Sequence, residues 1–142
     1  MCIRDSEDAL DRMWAVNVKA PLSLTRLTLP YLKKSGAGRV VNVASLAGKA
    51  VYGSSVGYSM TKFAAVALSH ATRHGGWDEG VRCTALCPGY VATDMTSEVE
   101  SISVDSMISP TDLAEIVRTI ISLSNTASVA ELVVNCRPDI IA

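Results

Sequence analysis

Tyr58 and Lys62 stand four positions apart, a spacing that puts both side chains on one face of a helix. A phenol with its ordinary pKa near 10 exchanges protons poorly at neutral pH, and a neighbouring ammonium corrects this. One positive charge about 4 Å away at an effective dielectric near 20 contributes up to about 4 kcal/mol, or roughly 3 pKa units. The pair is therefore a candidate acid/base for an alcohol or a carbonyl. Of the four tyrosines only Tyr58 has a Lys at this spacing. The same spacing also describes an amphipathic helix with an exposed Tyr and an exposed Lys, so neighbouring residues must decide.

Ser45 closes an apolar run thirteen residues before Tyr58, with Leu46-Ala47-Gly48 turning away after it. Its hydroxyl can donate to a substrate oxygen or make a local turn bond. Asn17 lies in a helical pattern four residues before Pro21. Pro21 has no amide hydrogen for the Asn17 carbonyl, which is then free to hold a water that passes protons toward Lys62. Pro88-Gly89 follows another apolar run and turns the chain out of it.

Other reactive residues fit blander roles. His70 and His74 are four apart, but no third ligand accompanies them, and a helix carboxyl end suits their charge. No metal is expected. Trp14 and Trp77 read as packing residues, and Asp94, Glu98 and Glu100 as a solvated stretch.

The elements that must position these groups follow from periodicity. Asp5 or Ser6 can cap a helix with Glu7 and Asp8 in its first turn. Apolar residues at helical spacing predict one long helix over about 7–34, interrupted at Pro21 and ended by Gly36-Ala37-Gly38. Arg39 to Ser45, Val-rich and nearly continuously apolar, predicts a short central strand covered on both faces. Gly48, Gly53, Ser54 and Ser55 mark a loop before a largely buried helix at 56–73, stopped by Gly75-Gly76.

Val81 to Leu86 predicts a second strand ended by Pro88, which cannot donate to a ladder. Residues 94–108 lack strong periodicity. Ser109-Pro110-Thr111-Asp112 starts a helix whose buried face is Leu113, Ile116, Val117, Ile120 and Ile121. Glu131 to Cys136 is a last strand before Arg137-Pro138. Alternating helices and strands imply parallel strands in an α/β layered fold. Ligands gather at the carboxyl edge of such sheets, where Ser45 and Pro88-Gly89 both fall.

Composition limits the partners. With 49% hydrophobic and 19% charged residues the chain is globular. Its net charge of −1 gives no phosphate-neutralising surface, so nucleic acid is excluded in favour of a small molecule. No apolar stretch reaches the 18 or so residues of a membrane span. The start carries no signal core, which makes cytoplasmic the expected location. Cys83, Cys87 and Cys136 lie in apolar runs, and with Cys2 they form no CxxC pair, so neither disulfide nor zinc is expected.

Taken together, Asn17-Val18, Val41-Asn42-Val43-Ala44-Ser45-Leu46-Ala47-Gly48, Tyr58-Ser59-Met60-Thr61-Lys62 and Pro88-Gly89-Tyr90-Val91-Ala92-Thr93 resemble the short-chain dehydrogenase/reductase family in order and spacing. The resemblance covers about residues 7–96 well and the rest in outline. It implies a partial doubly wound, Rossmann-like parallel sheet of three strands with crossover helices. Residues 1–142 would be the carboxyl-terminal part of a single NAD(P)-binding domain.

The resemblance also implies roles. Tyr58 would be the proton donor or acceptor, Ser45 would orient the substrate oxygen, and Lys62 would tune Tyr58 and hold the nicotinamide ribose. Asn17 would complete a tetrad through a water. Pro88, Gly89, Val91 and Thr93 would line the nicotinamide of NAD or NADP, and residues after Thr93 would cover the substrate. The whole enzyme would assemble as a homo-oligomer through its two long helices.

A dinucleotide site also needs a Gly-rich turn between a strand and a helix, where backbone amides meet the pyrophosphate. The nine glycines include no such turn, so the resemblance begins in the middle of the family's fold. Two other readings follow: a silent or partner-binding fragment, and an epimerase or dehydratase of the related extended group. The Pro88 to Thr93 run favours a simple reductase or dehydrogenase over the latter.

Overall fold

The computed structural model describes residues 6–51 and 55–136 of the 142-residue chain. Cys2, the alternative cap Asp5, the loop residues Gly53 and Ser54, and Arg137-Pro138 lie outside the described residues.

Ser6 is the cap, its Oγ accepting the Ala9 amide at 3.2 Å. The long helix has three parts: α1 (Glu7–Trp14), a π-helical turn (Ala15–Lys19) and α2 (Ala20–Ser35). The expected interruption is thus an inserted residue rather than a break. The Ala20 amide reaches back five residues to the Ala15 carbonyl, and Pro21 falls in the first turn of α2, where its missing amide costs little. Gly36, with φ 67°, ends α2.

β1 (Arg39–Val43), β2 (Arg82–Pro88) and β3 (Glu131–Val134) form a parallel sheet in the order β1-β2-β3. Helix α3 (Val56–Gly75) crosses from β1 to β2, and α4 (Pro110–Ser122) from β2 to β3. The register runs from Arg39 beside Arg82 to Val43 beside Leu86, and from Ala85 beside Glu131 to Pro88 beside Val134.

Four expectations need correction. Among the described residues the central strand is β2, buried from Cys83 to Pro88, because it alone has a strand on each side; β1 is there an edge strand and Val43 is 59% exposed. Pro88 belongs to β2 rather than following its end. Amides of β2 alternate in direction: Ala85 and Gly89 donate to the β3 side, while Arg82 donates to Gly38 on the β1 side. An amide at Pro88 would face the β1 side, beyond the last paired residue Val43, so none is needed.

Helix α3 is buried only along a stripe of small residues: Gly57, Ser59, Thr61, Ala65, Val66, Ser69 and Thr72. Small side chains bring it close to the sheet, where Ala65 and Val66 pack on Ala44, Ala85 and Cys87. Met60 and Phe63 point outward. In α4 only Ile120 is buried; Leu113, Ile116 and Val117 are part-buried and Ile121 is exposed.

Candidate active site

Tyr58 and Lys62 occupy successive turns at the start of α3, which begins beside the carboxyl edge of the sheet. Both are half-buried. The Lys62 Nζ lies 5.5 Å from the centre of the Tyr58 ring and donates to the Val43 carbonyl at 3.2 Å. Burial lowers the Lys62 pKa from 10.5, opposed in part by the Cys87 thiol.

Ser45 comes two residues after β1, not at its last paired position. The Ala44 amide still donates to Leu86 at 2.7 Å, and Ser45 then caps a short 3-10 turn (Leu46–Gly48). Its Oγ accepts the Ala47 amide at 3.1 Å, which uses a lone pair and leaves the hydroxyl hydrogen to donate. Gly48 seats this turn on α3: a Cβ there would lie 2.7 Å from the Lys62 carbonyl oxygen. The absence of a side chain at residue 48 therefore sets how closely the Ser45 turn approaches the helix bearing Lys62.

Asn17 is carried by the π-turn. Its side-chain amide donates to Thr61 Oγ1 at 3.1 Å, and that hydroxyl donates to the Tyr58 carbonyl at 2.8 Å. Asn17, Pro21, Val43 and Lys62 line one groove of about 300 Å³ between the long helix and β1. Sequence reasoning reached Asn17 through its backbone carbonyl and missed Thr61. The signal was in the phase of α3, where Gly57, Thr61 and Ala65 fall on one buried stripe.

The run from Pro88 to Thr93 leaves the carboxyl end of β2. The Gly89 amide donates to Val134 at 2.9 Å, holding the exit against β3. Val91 then pairs with Ile108 in an isolated parallel bridge, with Ala92 donating to Ile108 and Ile108 to Tyr90 at 3.0 and 2.9 Å. Everything between is an excursion that starts and returns at this bridge. Two 3-10 turns (Asp94–Thr96 and Val104–Ser106) account for its weak periodicity. Thr93 caps the first, its amide donating to Thr96 Oγ1 at 3.1 Å.

His70 departs from the reading that placed it with His74 at the helix end. It faces Glu131 of β3, with 2.6 Å between Nε2 and Oε1, and Glu131 also pairs with Lys49. Among the described residues no group of three potential ligands could hold a metal. Cys83, Cys87 and Cys136 are buried. Burial raises the Cys83 thiol to about 11 and raises Cys87 as well, so neither offers a thiolate at neutral pH.

Comparison with known proteins adds three findings. A sequence profile described as short chain dehydrogenase matches residues 2–103. An agropine synthesis reductase of Rhizobium rhizogenes is 47% identical over 125 residues, which are 88% of this chain and 29% of that protein. The chain thus spans about three-tenths of the length of that relative. Among solved structures, a 4-hydroxyisoleucine dehydrogenase complexed with NADH has the same fold, with a TM-score of 0.84 at 22% identity over 94% of this chain and 60% of that one. A betaketoacyl-[ACP] reductase from Bacteroides thetaiotaomicron superposes with a TM-score of 0.78 at 26% identity, over 95% and 58%.

Proposed function

For a chain that belongs to the short-chain dehydrogenase family, we propose the reaction of an NAD(P)-dependent oxidoreductase that interconverts an alcohol and a carbonyl, with Tyr58 as acid/base. The observation that carries this reading is Lys62 held 5.5 Å from the Tyr58 ring, in a helix on which the Ser45 turn is seated. In oxidation the substrate hydroxyl proton passes to the Tyr58 phenolate while the carbon-bound hydrogen leaves as hydride; reduction is the reverse. The Lys62 ammonium stabilises the phenolate, and Ser45 donates its free hydroxyl hydrogen to the substrate oxygen.

When bound, the nicotinamide of NAD or NADP supplies the hydride chemistry. Pro88, Gly89, Val91 and Thr93 would hold it, with Tyr58 and Lys62 toward its ribose. The residues fit that end of the cofactor: Pro88 presents no amide hydrogen, and Gly89 no side chain, on the exit from β2 beside Ser45. Residues for the pyrophosphate end are not among the 142. Two of the similar proteins, an agropine synthesis reductase and a betaketoacyl-[ACP] reductase, favour a carbonyl substrate.

Exposed Leu27 and Tyr31 on α2 and Met60 and Phe63 on α3 favour a homo-oligomer built on the long helices. Among the described residues no helix is long and apolar enough to cross a membrane. A cytoplasmic location fits Cys83 and Cys87, buried thiols outside any disulfide.

The test is turnover of a panel of small carbonyls with NADH and NADPH, with Tyr58→Phe beside the wild type. The substitution is expected to lower kcat by about 10² to 10⁴-fold while leaving nicotinamide fluorescence on binding intact. A variant retaining more than a tenth of the rate removes Tyr58 from the reaction. A second reading, a silent chain that binds a partner along β1, is favoured by the single pairing of that strand among the described residues. It predicts no saturable change in NAD(P)H fluorescence.

A further inference from the structure

Among the described residues one side-chain hydrogen bond joins the long helix to α3, from Asn17 to Thr61. We infer that Thr61 is a positioning residue, whose hydroxyl fixes the π-turn carrying Asn17 against the helical turn carrying Tyr58 and Lys62. The inference rests on the roles of Tyr58 and Lys62 proposed above.

A hydroxyl has one hydrogen and two lone pairs. Thr61 gives its hydrogen to the Tyr58 carbonyl and takes a hydrogen from the Asn17 amide. Its side chain is 0% exposed, so water cannot replace either partner. Helical Thr residues often bond back to a carbonyl in the preceding turn, and that half is ordinary. The second partner, 44 positions away on another helix, is not.

The π-turn explains why a tether is needed there. One inserted residue interrupts the helical ladder between Trp14 and Ala20, and an inserted residue can in principle slide along the helix. Pro21 limits sliding toward α2, and the Asn17 bond limits rotation about the helix axis. Thr61 lies between Tyr58 and Lys62 in sequence and is fully buried. It therefore holds both without contact with a substrate.

The experiment uses the longest expressed form of the protein. Thr61→Val keeps the shape and removes the hydroxyl; Thr61→Ser keeps the hydroxyl. Thr61→Val is expected to lower kcat about tenfold, the scale of one lost hydrogen bond, with the KM for cofactor unchanged within twofold. The acid limb of the kcat profile for alcohol oxidation should move to higher pH as the Lys62 turn loosens, and Thr61→Ser should restore both rate and profile. Asn17→Ala combined with Thr61→Val should be no slower than the slower single variant.

A direct reading of the bond needs no turnover: the Asn17 side-chain amide hydrogens should exchange slowly in the wild type and fast in Thr61→Val. Wild-type rate and pH profile in Thr61→Val, failure of Thr61→Ser to rescue, or additive losses in the double variant overturn the inference. Should Thr61→Val not fold, solvent-fast exchange at Asn17 in the wild type overturns it alone. An active Tyr58→Phe removes the underlying reading, whereas an inactive Tyr58→Phe beside an unimpaired Thr61→Val removes only the role of Thr61.

Discussion

The two rims of the parallel sheet treat their charged groups in opposite ways. At the amino rim Arg39 donates to the carbonyls of Gly38, Gly80 and Leu123 and to the Asn125 side chain, at 2.7 to 3.4 Å. Arg82 donates to the carbonyls of Trp77, Val81 and Asn125, and its guanidinium lies 3.7 Å from the centre of the Trp77 ring. Trp77, expected to pack, does so as a platform for that cation while 42% exposed. Asn125 closes the set by donating to Gly36 at 2.7 Å. At the carboxyl rim Lys62 makes a single bond to a carbonyl and Ser45 keeps its hydroxyl hydrogen. The Arg39 and Arg82 donors are spent chiefly on backbone carbonyls, whereas under the function proposed above the Lys62 ammonium and the Ser45 hydroxyl hydrogen would serve a ligand.

The sharpest way to break this contrast is at Gly80. Its φ is 79°, and a Cβ there would fall 2.0 Å from the Gly36 carbonyl oxygen and 2.8 Å from the Asn125 side-chain nitrogen. Gly80→Ala therefore combines a disfavoured backbone conformation with a backbone clash, and should lower the unfolding free energy by about 3 kcal/mol or more. Ser45→Ala on the opposite rim should cost less than about 1 kcal/mol, because the hydroxyl it removes caps only one short turn. Urea unfolding of both variants makes the comparison. Equal losses would mean that the rims do not differ.

Lys62→Met tests the other side of the contrast. Burial disfavours the charged amine, so the folded state binds this proton less readily than the unfolded chain, and stability gained from Lys62 rises with pH through the window below 10.5. At neutral pH the cation is a cost that Met removes while keeping the stem packed. The variant should lose about 10² to 10⁴-fold in kcat and leave the unfolding free energy unchanged or slightly raised. A stability loss above about 1 kcal/mol would make Lys62 a structural residue.

Legibility in the sequence followed how local each signal was. The alternation of elements, the Ser6 and Ser109 caps and the Gly36 stop were readable because caps, periods and breakers act within a few residues, whereas α3 was expected to be largely buried and is buried only along its small-residue stripe. The rank of the strands was not. A Val-rich run looks the same at an edge and at a centre, so β1 was expected to be central when β2 is. Pro88 misled for a related reason: whether a missing amide matters depends on where the neighbouring strand ends. In the site, spacing brought Tyr58 and Lys62 together, but Thr61 and the Glu131 partner of His70 depend on approaches across 44 and 61 positions.

Glu131 allows the two rims to be separated by pH. It starts β3, yet its carboxylate gathers Lys49, just after the Ser45 turn, and His70 of α3, with the Cys87 thiol of β2 nearby. Lys49 chiefly, and then His70, hold the Glu131 carboxyl below its ordinary value of 4.5, against an opposing effect of burial. With the folded value depressed, the unfolded chain takes up the proton first as pH falls. The contribution is therefore complete above pH 4.5 and is lost as pH falls through the folded value. Glu131→Gln should lower the unfolding free energy by about 1 kcal/mol at pH 7, and the gap to the wild type should close as the pH is taken below 4.5. The amino rim has no carboxylate among the partners of Arg39 and Arg82, so Arg39→Leu should keep its deficit across the same range. A Glu131→Gln deficit that stays constant from pH 7 to pH 3 would assign the residue to packing, and the carboxyl rim would then have no acid-sensitive tether of its own.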